Sequence, residues 1–177
     1  EPTGVDRALP KAPVLDWGGF SRSKAPVPTS MANLPHWAYT SSGRAALHAA
    51  LLQMKLPAGS AVLVPTYHCP TMVAPIVAAG HTPVFYGLHD DGRPSLDTID
   101  TKAVRPRAIF VAHYFGLAGS LASVKRWCEL HDVRLVEDCA HSYFGMAGDR
   151  PVGSWGDYAI TSLSKFFPMP EGGMLAS

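Results

Sequence analysis

The sequence predicts an α/β fold with three layers, in which a mostly parallel sheet is flanked by helices. Three observations lead to this prediction. Short apolar strands alternate with helical segments, hydrophobic residues make up 47% of the 177 residues, and charged residues make up 16%. Strand–helix–strand units cross over with a right hand and give parallel strands. The composition suits a well-buried domain and argues against a disordered chain.

Charge and cysteine content limit the classes of partner. The formal net charge is +1, so we expect neither nucleic acid nor an anionic membrane as a partner. No apolar run approaches the roughly 18 residues that a spanning helix needs. Cys69, Cys128 and Cys139 cannot all pair and show no CxxC spacing, so we expect no disulfide framework and no metal site. A reducing cytoplasm is the predicted location, and Cys128 is expected in the core.

The composition changes near residue 35. Residues 1–35 are rich in Pro, Gly, Ser and Lys, which predicts an extended arm whose Trp17 and Phe20 are available for docking. Residues 36–177 are predicted to form the folded domain. Its first helix follows Ser42, a good N-cap, and Pro57 and Gly59 are expected to end it. Four apolar residues share one face of this helix: Leu47, Ala50, Leu51 and Met54.

The rest of the chain alternates between strands and helices. We predict strands over 61–64, 83–86, 108–112, 133–136, 158–163 and 173–176, helices over 70 to about 80 and 95–104, a helix capped by Ser120, and a glycine-rich hairpin or loop over 144–154. Polar residues follow four of these strands: Tyr67 and His68, then His113, Asp138 and Lys165. In parallel sheets, ligands bind outside the carboxyl ends of the strands.

Lys165 lies in an unusual context for a surface lysine. An apolar run and Ser162 precede it, and an aromatic pair, a proline and the glycines 172 and 173 follow. A lysine in a crowded site can lose its proton and form an imine with an aldehyde, here that of pyridoxal phosphate. The alternative is a lysine that ends an ordinary strand.

Asp138 and His141 are candidates for the cofactor ring. A buried carboxylate needs a cationic partner, and a protonated pyridine nitrogen is one. Asp138 could instead cap the next segment or bind a metal. His141, three residues on, could donate to the ring hydroxyl or be structural.

Two further groups of residues could contact the same cofactor. Gly43 and Arg44 begin a helix, where free N–H groups favour a phosphate, and Ser162 could add a hydroxyl. Tyr67 and His68 offer flat rings, either of which could stack on a pyridine face.

These pieces resemble the DegT/DnrJ/StrS sugar aminotransferases. The similar segments are 42–47, 64–67, 137–141, and Lys165 with Gly172-Gly173, in register from about residue 40 to 177. The resemblance implies the large domain of a pyridoxal-phosphate enzyme of fold type I. It further implies an amino-acid donor, with glutamate expected, a keto acceptor such as a nucleotide-linked keto-sugar, and a homodimer.

The resemblance also implies a role for each site residue. Lys165 would be the Schiff-base lysine and the proton shuttle between the substrate's alpha carbon and the cofactor's C4′. Asp138 would hold the pyridine nitrogen, and His141 would lie near the ring hydroxyl. The phosphate would be bound by Gly43, Arg44 and Ser162. The family's stacking aromatic falls at Cys69 by counting, so Tyr67 or His68 would substitute.

The sequence departs from the family at several points. Arg44 stands where threonine is common, Phe166 replaces the usual asparagine after the lysine, and the spacing to the glycine pair differs. Family members continue into a small carboxyl-terminal domain, so we expect this chain to correspond to the amino-terminal part of such an enzyme. The retained Lys165 favours transamination over the dehydratases of the family, which have histidine there.

Two alternatives remain open at this point. A non-catalytic module could keep the fold and bind the cofactor without transferring an amino group. A thiol hydrolase using Cys69 or Cys139 would need a nearby histidine and an oxyanion site, and the sequence shows neither at a diagnostic spacing.

Overall fold

A computed structural model describes residues 13–21 and 24–177. Within them, the main sheet contains β1 (Trp37–Thr40), β2 (Ala61–Pro65), β3 (Thr82–Tyr86), β4 (Pro106–Ala112), β5 (Arg134–Asp138), β8 (Tyr158–Ser162) and β9 (Gly173–Ala176). A small hairpin pairs β6 (Met146–Ala147) with β7 (Arg150–Pro151). The α-helices are α1 (Gly43–Met54), α2 (Pro70–Ala78), α3 (Thr101–Val104) and α4 (Ala122–His131).

The main sheet is mostly parallel, as the alternation of elements predicts. Its strand order is β1-β9-β8-β5-β4-β2-β3. Strands β3, β2, β4, β5 and β8 pair in parallel, whereas β9 pairs antiparallel with both β8 and β1. The carboxyl ends of β2, β4, β5 and β8 therefore lie along one edge of the sheet.

The sheet has an apolar layer on each face. Because successive strand residues point to opposite faces, Val62 and Phe110 pack with α1 and α2, while Leu63 and Ile109 pack with α4. Cys128 of α4 is buried as predicted, and burial raises the pKa of its thiol to about 12. Among the described residues, no helix is long and apolar enough to cross a membrane.

Helix α1 begins as predicted. The Ser42 hydroxyl accepts from the Ala45 N–H at 3.2 Å, which is N-cap geometry. The helix ends earlier than the predicted stop at Pro57, because Lys55 adopts a left-handed conformation with φ of 50°. Left-handed residues commonly end helices.

Three segments differ from the prediction. Helix α4 follows Leu121 and not the predicted cap Ser120, although the Ser120 Oγ accepts from the Ala122 N–H at 3.3 Å. The helix expected over 95–104 divides into a 3-10 turn, Leu96–Thr98, and α3, because the Asp100 side chain accepts from the N–H groups of Lys102 and Ala103 and starts a new helix. Strand β1 was not predicted. Its residues are mostly exposed on both faces, so its sequence has no burial pattern, and its conformation depends on pairing with β9.

Part of the predicted arm contacts the domain. Met31 is fully buried, and its N–H donates to the Tyr143 carbonyl at 3.1 Å. Trp17 and Phe20 are exposed, with ring centroids 6.0 Å apart. The division into an arm over 1–35 and a domain over 36–177 stays a prediction, and residues 1–12, 22 and 23 lie outside the described structure.

Glu137 joins the end of β5 to the segment after the small hairpin. Its carboxylate is fully buried. One oxygen accepts from the Gly153 N–H at 2.7 Å and contacts His113 Nε2 at 2.9 Å. The other oxygen accepts from the N–H groups of Trp155 at 2.9 Å and Gly156 at 3.4 Å. Burying this charge is possible because it is surrounded by donors.

We predict that Glu137→Gln destabilises the domain by about 3 kcal/mol, because the amide NH₂ would face N–H donors and leave them unsatisfied. Urea unfolding followed by circular dichroism measures this loss. The control is Arg107→Ala, which removes an exposed ion pair with Asp132 and should leave the midpoint nearly unchanged. Equal midpoints for Glu137→Gln and the wild-type chain would contradict the role assigned to Glu137.

Candidate active site

A cavity of about 580 Å³ lies at the carboxyl edge of the sheet. This volume is within the range of small-molecule sites, which is about 300–1,000 Å³. The cavity brings together every site residue that the sequence predicts: Gly43, Arg44, Tyr67, His68, Asp138, His141, Ser162 and Lys165. These residues come from four separate stretches of the chain, and the parallel sheet places them at one edge.

Asp138 forms part of the cavity wall and is 8% exposed. One carboxylate oxygen, Oδ1, accepts from the Ala140 N–H at 2.9 Å. The second oxygen, Oδ2, has no hydrogen-bond partner within the described chain and is open to the cavity. Burial raises the pKa of Asp138, while the Ala140 N–H and the Lys165 ammonium act in the opposite direction. The carboxylate therefore has one oxygen available for a cationic ligand.

Lys165 ends a 3-10 turn, Leu163–Lys165, directly after β8. The Leu163 N–H donates to the Gly172 carbonyl at 2.9 Å, so the glycine pair closes this loop. The aromatic rings of Phe166 and Phe167 pack against Tyr143, with centroids 5.6 and 5.2 Å apart. These contacts fix the backbone on both sides of the lysine, while its side chain lines the cavity.

The amino end of α1 meets the end of β8 at the cavity wall. In the described structure, the N–H groups of Gly43 and Arg44 make no hydrogen bond. A Cβ on Gly43 would lie 3.3 Å from the Ser162 Cβ, and one on Gly173 would collide with the Ser42 backbone. Close approach of these backbones therefore requires glycine at residue 173, and a side chain at residue 43 would be tight against Ser162. Ser162 Oγ lies 3.4 Å from Ser164 Oγ, and both residues line the cavity.

His141 lies on another side of the cavity. Its Nδ1 accepts from the Phe115 N–H at 3.4 Å, and its ring stacks on Phe115 with an interplanar angle of 26°. Burial lowers the pKa of His141, and the Lys165 ammonium lowers it further. The imidazole is therefore neutral at pH 7, and Nε2 carries its hydrogen because Nδ1 is an acceptor.

The two candidate stacking rings are held differently. His68 stacks on Phe85 at 4.9 Å, and its Nδ1 lies 3.0 Å from the Pro65 carbonyl. Tyr67 is 61% exposed and packs loosely against Tyr114 at 5.4 Å. His68 is stacked on its ring partner, whereas Tyr67 contacts the rings of Tyr114 and Phe115 only at tilted angles. Both line the cavity, and the choice between them stays a prediction.

The cysteines lack the arrangement that a thiol hydrolase needs. Hydrogen bonds from Thr71 lower the pKa of the exposed Cys69 thiol, but no histidine hydrogen-bonds it within the described chain. Cys139 is buried, and burial raises the pKa of its thiol far above the ordinary value. Its Sγ donates to Glu137 at 3.7 Å. The geometry therefore does not favour the thiol hydrolase.

His113, Glu137 and Cys139 place their ligand-type atoms within 4.8 Å of one another. The Glu137 carboxylate already accepts from several backbone N–H groups, so this cluster is a hydrogen-bonded brace. The sequence placed His113 at the correct edge of the sheet but assigned it no role. The sequence did not identify its partner Glu137, because sequence alone does not distinguish a buried carboxylate from an exposed one.

Comparison with known proteins agrees with this geometry. A model of the DegT/DnrJ/EryC1/StrS aminotransferase family matches residues 30–177. The chain belongs to this family. It is similar to the GDP-perosamine synthase of Vibrio cholerae, with 30% identity over 146 residues, which are 80% of this chain and 40% of that protein.

Two further proteins are similar to this chain, and the chain again covers only part of the length of each. The L-glutamine:scyllo-inosose aminotransferase of Streptomyces griseus is 31% identical over 142 residues, covering 77% of this chain and 33% of the relative. The X-ray structure of the aminotransferase from Psychrobacter cryohalolentis superposes with a TM-score of 0.73 at 25% identity, over 82% of this chain and 38% of that one. The predicted fold class, the large domain of fold type I, is confirmed. The chain spans less than half the length of these relatives.

We predict that Asp138→Asn raises the melting temperature of the ligand-free chain at pH 7. The folded-state pKa of Asp138 is raised, so the native state holds its proton more tightly than the unfolded state and folding opposes ionisation. The penalty is full above the folded-state pKa and disappears as the pH falls through it towards the unfolded value. The difference between variant and wild type, measured by calorimetry, should therefore shrink as the pH falls towards the unfolded-state pKa of about 3.9 and vanish below it. A variant that is less stable at pH 7 would contradict this assignment.

Proposed function

We propose that the chain is the cofactor-binding part of a pyridoxal-phosphate-dependent aminotransferase that aminates a keto-sugar or a related cyclic ketone. The observation that carries the proposal is the cavity in which Lys165 and the free oxygen of Asp138 occur together. Membership of the aminotransferase family supports it. The activities for which two relatives are named also support it, one being a GDP-perosamine synthase and the other a scyllo-inosose aminotransferase.

The residues present fit the cofactor at three points. Asp138 Oδ2 is a buried acceptor without a partner in the described structure, as a protonated pyridine nitrogen requires. Free N–H groups at the start of α1, with Ser162 beside them, suit a phosphate. Lys165 supplies the amine that condenses with an aldehyde. When bound, pyridoxal phosphate supplies an electron sink for carbanion chemistry.

The chain's own residues divide the work of amino transfer. Lys165 Nζ would hold the aldehyde carbon covalently and then, once released, carry a proton between the substrate carbon and C4′. Asp138 would keep the ring nitrogen protonated. His141 Nε2–H would donate to the ring oxygen, since its Nδ1 is an acceptor for Phe115. Gly43, Arg44 and Ser162 would orient the phosphate, and Tyr67 or His68 would cover one ring face.

Our proposals for the amino donor, the keto acceptor and the oligomeric state are based on membership of the family and not on the geometry of the cavity. We propose an amino-acid donor, with glutamate as the first candidate, and a keto acceptor of the sugar class, such as a nucleotide-linked keto-sugar. We further propose a homodimer, no nucleic-acid partner, and a cytoplasmic location. A module that binds the cofactor without transferring an amino group is the alternative outcome. Such a module would show the absorption band of the bound cofactor, and no amino donor would bleach this band.

We predict that borohydride reduction of the chain with pyridoxal phosphate fixes one cofactor on the tryptic peptide containing Lys165. Mass spectrometry locates the adduct. Lys165→Ala should lose it, while Lys102→Ala, which removes an exposed lysine outside the cavity, should retain it. An adduct at another lysine, or none in the wild-type chain, would refute the proposal.

We predict that Ser162→Ala weakens the binding of pyridoxal phosphate about tenfold while leaving unphosphorylated pyridoxal unaffected, because a charge-assisted hydrogen bond to phosphate is lost. Absorbance titration with both compounds measures the two affinities. Ser95→Ala, outside the cavity, is the matched control. If both compounds lose affinity equally, Ser162 does not contact the phosphate.

A further inference from the structure

The turn that follows β4 has a backbone that does not suit its sequence. It covers residues 114–117, and the Leu117 N–H donates to the Tyr114 carbonyl at 2.9 Å. Both central residues have positive φ, 56° at Phe115 and 83° at Gly116. Positive φ at both positions is characteristic of a type I′ turn, which strongly prefers asparagine followed by glycine. A phenylalanine at the first of these positions is strained, because its Cβ crowds the backbone.

Phe115 differs from the other described residues that have this backbone. Apart from glycines, the described residues with positive φ are Phe115 and three others: Lys55, Arg105 and Asp132. Each of these three directly follows an α-helix, where a left-handed residue ends the helix. Phe115 follows a strand and ends no α-helix, so helix termination does not explain its conformation. Backbone strain without such a structural reason is concentrated at functional sites.

Burial does not explain Phe115 either. The residue is 71% exposed and belongs to neither apolar layer of the sheet. Its ring centroid lies 6.2 Å from that of Tyr67 and 6.3 Å from that of His141, and all three residues line the cavity. Leu117, in the same turn and 81% exposed, is not among the described residues that line the cavity. The Phe115 ring is therefore an exposed part of the cavity wall, between two other cavity-lining rings.

Phe115 is also part of a cluster of aromatic rings. The ring centroids of Tyr67, Tyr114 and Phe115 lie 5.4 to 6.2 Å apart. The Tyr114 hydroxyl donates to the Tyr67 carbonyl at 2.6 Å, which holds the turn after β2 against the turn after β4. The same cavity is lined by three polar residues to which the proposed cofactor contacts give no role: Thr71, Ser164 and Glu171. The cavity thus combines aromatic rings with further polar groups, which suits a ligand with apolar faces and a polar edge.

We propose that Phe115 is a specificity-determining residue for the acceptor, and that its exposed ring packs on the C–H face of a cyclic polyol ketone of the sugar or cyclitol class. This rests on the proposed function. Such a ring carries hydroxyls around its edge and C–H groups on its faces, so contact with an aromatic ring removes apolar surface from water. An acyclic polyol would lose more conformational freedom to present a similar surface. The competing explanation is that Phe115 only stabilises its turn by packing on Tyr67 and His141.

The decisive variant is Phe115→Asn. Asparagine suits the first central position of a type I′ turn and keeps the backbone N–H that donates to His141 Nδ1, but it has no aromatic ring. We expect a melting temperature equal to or higher than that of the wild-type chain. We also expect about tenfold weaker binding of scyllo-inositol, a cyclic polyol without the reacting carbonyl, because the apolar contact is lost. Phe115→Tyr, which keeps the ring, should bind scyllo-inositol like the wild-type chain.

Calorimetry gives the melting temperatures, and NMR titration of the chain saturated with pyridoxal phosphate gives the affinities. Mannitol, an acyclic polyol with the same numbers of carbons and hydroxyls as scyllo-inositol, should bind the variant and the wild-type chain equally. Leu117→Ala is the matched control, because it removes an exposed apolar side chain of the same turn outside the cavity. It should leave the affinity for scyllo-inositol unchanged.

Four outcomes would overturn the inference. They are wild-type affinity of Phe115→Asn for scyllo-inositol, an equal loss for mannitol, no binding of scyllo-inositol to the wild-type chain, and a Phe115→Asn chain that is less stable or unfolded. Weaker binding of pyridoxal phosphate to Phe115→Asn, with scyllo-inositol unaffected, would assign the ring to the cofactor instead. If the wild-type chain does not bind pyridoxal phosphate, the proposed function fails, and titration of the ligand-free chain with scyllo-inositol still tests Phe115.

A second measurement needs no variant. In the wild-type chain with ¹³C-labelled phenylalanine rings, scyllo-inositol should shift the ring resonances of Phe115, while mannitol at the same concentration should leave them in place. Unchanged Phe115 resonances, or equal shifts with both compounds, would contradict a contact specific to cyclic polyols.

Discussion

Two consecutive buried carboxylates at the end of β5 determine how the site is built. Glu137 and Asp138 point to opposite faces of the strand. Glu137 is surrounded by backbone donors and His113. Their hydrogen bonds offset the cost of removing the carboxylate from water and connect three segments of the chain. Asp138 has one local N–H donor and keeps one oxygen open to the cavity. One acid therefore stabilises the fold, and the other is held at a free-energy cost in a position suited to a cationic ligand.

The remaining parts of the site depend on the same strand ends. Pairing of β4 with β5 places His113 beside Asp138, and pairing of β5 with β8 places the Lys165 turn on the other side. Helix α1 reaches this edge because Gly43 and Gly173 permit close backbone contact. The lysine itself is supported from outside the cavity by aromatic packing and by the Leu163–Gly172 hydrogen bond. Rigid elements thus orient groups that come from distant parts of the chain.

Much of this arrangement could be predicted from the sequence. The buried strands have continuous apolar runs, Ser42 has the chemistry of an N-cap, and polar residues after the strands necessarily share one edge of a parallel sheet. Other features have no local signal. Strand β1 is exposed and depends on β9, Asp100 restarts a helix through a side-chain hydrogen bond, and the role of Glu137 depends on donors 16 to 19 residues away. The choice between Tyr67 and His68 depends on ring contacts such as that of His68 with Phe85.

The most direct test of the central claim is a crystal structure of the chain grown with pyridoxal phosphate. The account predicts continuous density from Lys165 Nζ to the cofactor, with the ring nitrogen about 2.7–2.9 Å from an Asp138 carboxylate oxygen, the length of a charge-assisted hydrogen bond. Density for the cofactor away from Asp138, or a ring nitrogen facing solvent with Lys165 unmodified, would contradict it.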